Sequence, residues 1–280
     1  MREGSAVLER AGIATAVRDA ELLLTHVLGI EAAHLHARPD ETPREEDLAR
    51  YRHLVARRAA REPLQYLTGV QEFWSLPFQV GPAVLIPRPE SEGIVEAFLR
   101  INTRPDPLVV DVGTGSGCLA VAVAHELPGA LLHATDASEE ALALARLNAS
   151  DNDVAGRIAF YHGDLLEPLR GLGLEKRVDA VLSNPPYIAR DDLEGLEPEV
   201  RDHEPRSALT PGPDPLVVHA RLAREAPPFL RPGGHLVVEF GQGQEGAMRD
   251  LYRGTPGVEV VEVRPDLAGV PRILVARRTT

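Results

Sequence analysis

The feature that most constrains the fold is an alternation of short apolar strands with helical segments from Glu90 onward. The predicted strands are LVVDVG, LLHATD, RIAFYHGD, DAVLSNPPY, GGHLVVEFG and PRILVARR. CLAVAVAHEL and SEEALALARLNASDN lie between them with the character of helices, the second with Ser138 as its expected N-cap. Strands separated by helices predict a doubly wound, mostly parallel sheet, which binds its ligands at the carboxyl ends of the strands.

The preceding part of the chain divides into a helical domain and a linker. In DAELLLTHVLGI the apolar residues recur at helical spacing, and Gly29 is expected to end that helix. A second helix is predicted over roughly residues 44–61, with acids in its first turn and arginines in its last, as the helix dipole favours. Apolar residues alternate along FWSLPFQVGPAVLIPRP, and the pattern breaks at Gly81 and Pro82, which predicts a hairpin or an extended linker. We therefore predict a small helical domain over 1–72, a hairpin linker over 73–89 and a larger domain over 90–280.

Composition excludes several classes of protein. The net charge is −12, which opposes a sequence-independent grip on nucleic acid phosphates, so no stable nucleic-acid binding is expected. No apolar run approaches the ~18 residues that a membrane span needs, and the N-terminus has no signal-peptide core. Cys118 is the single cysteine, which excludes an internal disulfide and a cysteine-based metal cluster. A monomeric, cytoplasmic protein without a bound metal is expected.

The first strand runs into DVGTGSGC, a glycine-rich turn into a helix. Such a turn lets the backbone approach a ligand closely at the helix N-terminus. Its G-x-G-x-G spacing differs from the G-x-G-x-x-G of dinucleotide sites, and it lacks the G-K-[ST] of a phosphate-binding P-loop. The residues predicted to contact a cofactor here are Gly113, Thr114, Gly115, Ser116 and Gly117.

The next three strands also end in polar residues. Asp136 ends the second strand, about 20 residues beyond the loop, where an acid can accept hydrogen bonds from ribose hydroxyls. The third strand ends near Asp164 and Leu165, an acid and an apolar residue that could flank an adenine. The fourth ends in NPPY, residues 184–187. Four such ends in succession favour a binding site over a set of unrelated turns.

At this point the chain resembles the class I S-adenosylmethionine-dependent methyltransferases. In that fold the glycine loop faces the methionine part of the cofactor, and the two acid regions hold the ribose and flank the adenine. NPPY is similar to the variant that methylates planar amide or amine nitrogens. REPLQYLTG, LIPRPESE and HEPRSAL narrow the resemblance to the HemK/PrmC family, over nearly the whole chain. Small departures are Trp74 and Ser75, where the family often has Tyr-Gly, and Leu165, where an aromatic residue is common.

The resemblance implies a substrate and a set of site residues. HemK/PrmC proteins are glutamine N5-methyltransferases that modify the Gly-Gly-Gln motif of class 1 peptide chain release factors, with S-adenosylmethionine as methyl donor. The expected catalytic and substrate-binding residues are Asn184, Pro185, Pro186 and Tyr187, and Asn184 is also expected to contact the cofactor. Arg88, in the LIPRPESE segment, is expected to lie at the substrate, although an ordinary ion pair is the alternative.

NPPY suits the chemistry of an amide acceptor. The lone pair of a glutamine nitrogen is delocalised into its carbonyl, so the site must hold the NH₂ group by its hydrogens. The side-chain carbonyl of Asn184 and the backbone carbonyl of Pro185 can each accept one hydrogen bond. The prolines stiffen the loop and remove competing N–H donors, while Tyr187 can lie against the flat amide. A sulfonium is already an activated methyl donor, so in-line placement supplies much of the rate.

Other functions stay open at this stage. A methyltransferase acting on exocyclic amines of nucleic acid would use the same NPPY chemistry on an extruded base, but the chain lacks a basic stripe. A non-catalytic binding module or a nicotinamide-dependent oxidoreductase fits the motifs less well. His34 and His36 have no metal-ligand spacing. Glu239, in VVEFGQGQ, could be functional or could only cap a strand end.

Overall fold

The computed structural model describes residues 1–37 and 42–280, and it divides the chain into two compact units. The first unit consists of Met1–Val70 together with Leu196–His203. The second consists of Gln71–Gly195 and Glu204–Thr280. The domain boundaries predicted at residues 72 and 89 stay predictions; the two units divide the chain between Val70 and Gln71.

The helices and strands follow one another as the alternation predicted. The α-helices are α1 Arg2–Arg10, α2 Ala16–Leu28, α3 Ala32–Ala37, α4 Glu45–Ala59, α5 Leu64–Thr68, α6 Glu92–Ile101, α7 Cys118–Glu126, α8 Glu139–Asp151, α9 Pro198–His203, α10 Arg206–Leu209, α11 Val217–Glu225 and α12 Glu245–Arg253. The strands are β1 Val70–Phe73, β2 Leu76–Gln79, β3 Leu108–Val112, β4 Leu131–Asp136, β5 Ile158–His162, β6 Val178–Ser183, β7 Leu230–Glu239, β8 Val258–Pro265 and β9 Pro271–Arg278.

The first unit is a helical bundle with its own apolar core. The side chains of this core come from α1, α2, α4 and α5, and they include Leu8, Ala20, Leu23, Tyr51, Val55 and Leu67. As predicted, α2 ends at Gly29, which adopts the left-handed conformation with φ 65°. The predicted second helix is α4, which begins at Glu45 with three acids in its first turn.

A buried arginine ties α9 to the helices of the first unit. Arg58 is only 7% exposed, and its guanidinium donates to Asp19 Oδ2 and to Glu199 Oε1, each over 2.8 Å. Arg61 donates to the other Glu199 oxygen over 2.7 Å. Burial alone would raise the pKa of Glu199, but the hydrogen bonds from Arg58 and Arg61 hold that pKa below its ordinary value. This shared carboxylate explains why a segment so late in the chain belongs to the first unit.

The second unit is built on a seven-stranded sheet of order β5-β4-β3-β6-β7-β9-β8. The pairs from β5 to β7 are parallel, whereas β9 runs antiparallel to both β7 and β8. The prediction of a doubly wound, mostly parallel sheet is therefore confirmed. The sequence analysis did not predict strand β8. This strand lies at an edge of the sheet, and its valines are interrupted by Glu259 and Glu262, so it has no continuous apolar run.

Apolar cores cover both faces of this sheet. Consecutive residues of one strand enter opposite cores, as Val109 and Val110 of β3 do. Helices α6 and α7 pack on the first face and helices α11 and α12 on the second. A sheet buried on both faces leaves its strand ends as the place where polar residues can meet a ligand.

The predicted hairpin is present, but it begins at Val70 rather than at Phe73. Its two-residue turn is formed by Trp74 and Ser75, with φ of 55° and 57°. Tight hairpin turns favour such positive φ values, but the conformation is costly for residues other than glycine and asparagine. Trp74 is held there by its N–H, which donates to Glu92 Oε1 over 2.7 Å, and by its indole N–H, which donates to Glu126.

Replacing Ser75 with glycine should therefore stabilise the protein. We expect Ser75→Gly to raise the free energy of unfolding by about 0.5–1 kcal/mol, because glycine tolerates positive φ although it costs more backbone entropy. Urea unfolding of both proteins measures the difference. The matched control is Ser150→Gly, an exposed position in helix α8, which should lower stability. Equal effects of the two changes would contradict a strained turn.

Candidate active site

A cavity of about 630 Å³ opens where the parallel strands end. The predicted site residues that line it are Arg88, Gly113, Thr114, Gly115, Ser116, Asp136, Asp164, Leu165, Asn184 and Pro186. Gly117, Pro185 and Tyr187 are not among its lining residues within the described ranges. All of these residues belong to the second unit, so the site is built from one compact body.

The glycine loop after β3 leaves an open cradle. Gly113 and Gly115 have φ of 71° and 55°, and a side chain added at either one would meet no described atom within 4 Å. Gly117 serves packing instead, because a Cβ atom there would lie 3.1 Å from the Cβ of Ala145 in helix α8. Two of the three predicted glycines thus leave room for a ligand, while the third lets two helices approach.

A buried acid that the sequence analysis did not single out holds this loop. Asp111 Oδ2 accepts from the Thr114 hydroxyl over 2.6 Å and from the Ala120 N–H over 3.2 Å. Asp111 Oδ1 and the Ser116 hydroxyl are buried and have no hydrogen-bond partner among residues 1–37 and 42–280. Burial raises the pKa of Asp111 to about 7, and the nearby charge of Asp136 adds to that rise. The rise in pKa means that the surroundings of Asp111 favour its neutral form, so the loop is held by a buried acid with one unpaired oxygen.

Asp136 sits at the end of β4 and connects the loop to helix α8. Its Oδ2 accepts from the Gly115 N–H over 2.8 Å, and its Oδ1 accepts from the Ser138 N–H over 2.9 Å. A carboxylate oxygen has more than one lone pair, so both oxygens can accept a further hydrogen bond from the cavity. Ser138 is the N-cap of α8, as predicted, with its hydroxyl accepting from the Ala141 N–H.

Asp164 and Leu165 follow β5 at the rim of the cavity. Asp164 forms a two-pronged pair with Arg221 of α11, with N–O distances of 2.8 and 3.0 Å. Leu165 has φ of 47°, an uncommon conformation for leucine that is found at ligand sites. Arg221 also lines the cavity, and no motif marks it in the sequence because it lies far along the chain from its partner.

The NPPY end is organised by a buried carboxylate at the end of β7. Glu239 is 2% exposed, and it accepts from the Ser91 hydroxyl over 2.5 Å and from the Tyr187 hydroxyl over 2.8 Å. Ser91 in turn accepts from Asn184 Nδ2 over 2.9 Å. Burial raises the pKa of Glu239, although these two hydroxyl donors oppose the rise. The structure places Glu239 in contact with Ser91 and Tyr187, and whether it is functional stays a prediction.

Three further contacts hold the loops around NPPY. Gln244 Nε2 donates to the backbone carbonyl of Tyr187 over 2.8 Å. The guanidinium of Arg88 pairs with Glu204 of the HEPRSAL segment, and Glu204 also accepts from the Ile86 N–H over 3.2 Å. Arg88 therefore lines the cavity while its charge is balanced by a buried acid.

Comparison with known proteins agrees with these features. Residues 1–69 match the family described as "PrmC N-terminal domain", and residues 95–196 match "Methyltransferase small domain". A protein of Geobacter sulfurreducens called "Release factor glutamine methyltransferase" is 42% identical over 96% of this chain and 92% of its own length. A protein of the same name from Cereibacter sphaeroides is 44% identical over 96% of this chain and 94% of its own length. This chain belongs to the release factor glutamine methyltransferase family. The predicted family resemblance is confirmed.

A comparison with solved structures supports the fold. The methyltransferase from Pyrococcus furiosus superposes with a TM-score of 0.56, covering 80% of this chain and 100% of its own, at 18% identity. The second unit thus has the class I methyltransferase fold, as predicted.

The residues present fit S-adenosylmethionine. That cofactor carries a positive sulfonium and an ammonium group, which suit the Asp136 carboxylate that lines the cavity beside the empty positions of Gly113 and Gly115. Asp136 has acceptor capacity for ribose hydroxyls, and Leu165 offers an apolar surface at the rim. The individual cofactor contacts stay predictions.

Two classes of feature are missing from the part of the chain that the structure describes. Residues 1–37 and 42–280 contain no group of three or more His, Cys, Asp or Glu side chains arranged to hold a metal ion. Over the same ranges, no helix is long and apolar enough to cross a membrane.

The raised pKa of Asp111 should make stability depend on pH. Its folded-state pKa of about 7 lies above the ordinary 3.8, so the folded state holds the proton more tightly. The resulting stabilisation is full below pH 4 and is lost as the pH rises through 7. Between pH 5 and 8 the free energy of unfolding of the parent should fall because of this group. In Asp111→Asn, which cannot titrate there, that fall should be smaller by about 2–3 kcal/mol. Urea unfolding at both pH values measures this, and identical pH slopes would exclude the effect.

Proposed function

We propose that the protein transfers a methyl group from S-adenosylmethionine to the side-chain amide nitrogen of the glutamine in the Gly-Gly-Gln motif of class 1 peptide chain release factors. The single observation that carries the proposal is the orientation of Asn184. Its NH₂ group is engaged by Ser91, which leaves its carbonyl oxygen available to the cavity that it lines. The names of the two relatives, and NPPY itself, support a planar amide as the acceptor.

The proposed reaction needs the acceptor nitrogen to be held by its hydrogens. Asn184 Oδ1 accepts one N–H of the glutamine, and the backbone carbonyl of Pro185 accepts the other. With both hydrogens fixed, the nitrogen lone pair points at the methyl carbon, and polarisation toward a tetrahedral nitrogen is favoured electrostatically. S-adenosylmethionine would supply the methyl group on a positive sulfur, and the C–S electron pair would leave with that sulfur as a neutral thioether. The new N–C bond forms as the C–S bond breaks, and the nitrogen then releases a proton to water.

The alternative acceptor is an exocyclic amine of a nucleic-acid base, which would use the same loop. A net charge of −12 opposes that substrate, because neutralising phosphates requires clustered arginines or lysines. Transfer of a radiolabelled methyl group to a release factor, to DNA and to ribosomal RNA, assayed in parallel, decides between them. Label in nucleic acid and none in the release factor would overturn the proposal.

Asn184→Ala tests the role of the carboxamide. We expect the variant to keep its fold and its affinity for S-adenosylmethionine, while kcat falls by about 100- to 1,000-fold, the loss typical of a removed transition-state hydrogen bond. Calorimetry measures the affinity, and transfer to the release factor measures the rate. Asn102→Ala, at the end of α6, is the matched control and should stay within about threefold of the parent. A rate for Asn184→Ala within that same range would contradict the proposed role.

For the first unit we propose recognition of the protein substrate. The predicted cofactor residues all lie in the second unit, after residue 110. A Gly-Gly-Gln loop offers the cavity one side chain beside two glycines, so a second contact surface should supply affinity. The exposed face of α4 is the candidate, because Arg50 and His53 line a groove of about 360 Å³ together with His26 of α2.

Charge reversal on this groove should separate the two contact surfaces. We expect Arg50→Glu to raise the KM for an intact release factor about 5- to 30-fold, which is the scale of an interface charge, and to leave a short Gly-Gly-Gln peptide unaffected. Arg253→Glu, at the exposed end of α12, is the control and should change neither KM. Equal effects of Arg50→Glu on protein and peptide would mean that the groove takes no part in substrate recognition.

A further inference from the structure

We propose that Ser91 and Glu239 are positioning residues that fix which end of the Asn184 carboxamide faces the substrate. The proposal rests on the proposed function, since it explains how the site accepts an NH₂ group. A carboxamide has a donor end and an acceptor end of nearly the same shape, so a rotation of 180° exchanges them. Without a device that selects one orientation, Asn184 could present its own NH₂ to the substrate NH₂.

The selection begins at Glu239. The two hydroxyl groups that donate to Glu239 favour its ionised form against the effect of burial, and an ionised carboxylate only accepts hydrogen bonds. It receives the Tyr187 hydroxyl and the Ser91 hydroxyl over 2.8 and 2.5 Å. Ser91 has a single hydroxyl hydrogen, which this contact uses. Its oxygen can therefore only accept from Asn184, and the atom that it meets is Nδ2, at 2.9 Å. The order of donors runs from Asn184 to Ser91 to Glu239.

Burial gives this order its strength. Ser91 and Glu239 are 3% and 2% exposed, so water offers them little alternative hydrogen bonding. Rotation of the Asn184 carboxamide would place Oδ1 against the Ser91 lone pairs. Turning the Ser91 hydroxyl toward Asn184 would relieve that contact but would deprive Glu239 of a donor. Either change leaves a buried polar atom unsatisfied, which favours the observed orientation by about 10- to 100-fold.

One carboxylate thus controls two residues of NPPY. Glu239 orients Asn184 through Ser91, and it anchors the ring of Tyr187 directly. The three segments involved are the helix start after the hairpin linker, the end of β6 and the end of β7. The outward Asn184 carbonyl is complementary to an amide NH₂, whereas the carboxylate of a glutamate side chain would meet it as two acceptors. Ser91 and Glu239 therefore set the specificity of the site for glutamine over glutamate.

Substitutions at Ser91 separate this role from simple packing. Ser91→Ala removes the acceptor, and we expect kcat to fall about 10- to 100-fold with unchanged affinity for S-adenosylmethionine. Ser91→Thr keeps the hydroxyl and should restore kcat to within about threefold of the parent. Glu239→Gln introduces an NH₂ group that can donate to Ser91. The Ser91 hydrogen is then free to donate to Asn184, so kcat should fall about as much as in Ser91→Ala.

The matched control is Ser183→Ala, which also removes a buried hydroxyl. Ser183 immediately precedes Asn184, but its hydroxyl donates to the Val112 carbonyl over 2.7 Å and takes no part in the Asn184 contact. Ser183→Ala should lower the stability of the protein as Ser91→Ala does, but its kcat should stay within about threefold of the parent. Should Ser91→Ala fail to fold, Ser91→Cys keeps the volume with a weakly accepting sulfur and takes its place in the same assay.

A spectroscopic readout tests the orientation without any substrate. In ¹⁵N-labelled protein, the side-chain NH₂ of Asn184, assigned by its disappearance in Asn184→Ala, should exchange slowly in the parent and in Ser91→Thr. It should exchange about 10- to 100-fold faster in Ser91→Ala. If the parent does not methylate a release factor, the proposed function fails, while this measurement still decides the orientation. Unchanged exchange in Ser91→Ala, or an unchanged kcat in a methylating enzyme, would overturn the inference.

Discussion

The parallel pairing of five strands is the constraint on which the site depends. Because β5, β4, β3, β6 and β7 run in the same direction, their carboxyl ends meet at one edge of the sheet. Strands β3 and β6 are direct neighbours in the middle, so the glycine loop and NPPY follow adjacent, hydrogen-bonded strands. The sheet thereby places the expected donor loop next to the expected acceptor loop before any side chain contributes.

Two buried carboxylates then adapt this edge to its chemistry. Burial raises the pKa of both Asp111 and Glu239, so each stabilises the fold less when ionised than an ordinary exposed acid would. Asp111 organises the glycine loop, and Glu239 organises NPPY through two hydroxyl groups. The arrangement costs stability, and in exchange the glycine loop and NPPY are each held by buried hydrogen bonds.

Much of this was predictable from the sequence because the signals are local. Asp136 directly follows an apolar strand, and Asn184 follows another, so both could be placed at strand ends without a structure. Ser91 and Arg221 could not be singled out, because each is recognised only by its hydrogen bond to a distant residue. Ser91 contacts Asn184, 93 positions away, and Arg221 contacts Asp164, 57 positions away. The same limit applies to Glu199, whose arginine partners come from a different part of the sequence. The spacing of apolar residues predicts whether a segment is a helix or a strand, but it does not predict which distant side chains that segment contacts.

The return of Leu196–His203 to the first unit has a consequence for biosynthesis. Arg58, which is nearly buried, shares its charge between Asp19 and Glu199, and Arg61 relies on the same glutamate. During translation, the residues up to Val70 leave the ribosome long before Glu199 is made. Until then both guanidinium groups lack that carboxylate, and Arg58 has Asp19 as its acidic partner, so its burial is less well compensated than in the complete protein. The helical unit should therefore reach its final packing only after NPPY has been synthesised, which makes its maturation a late event although it stands first in the chain.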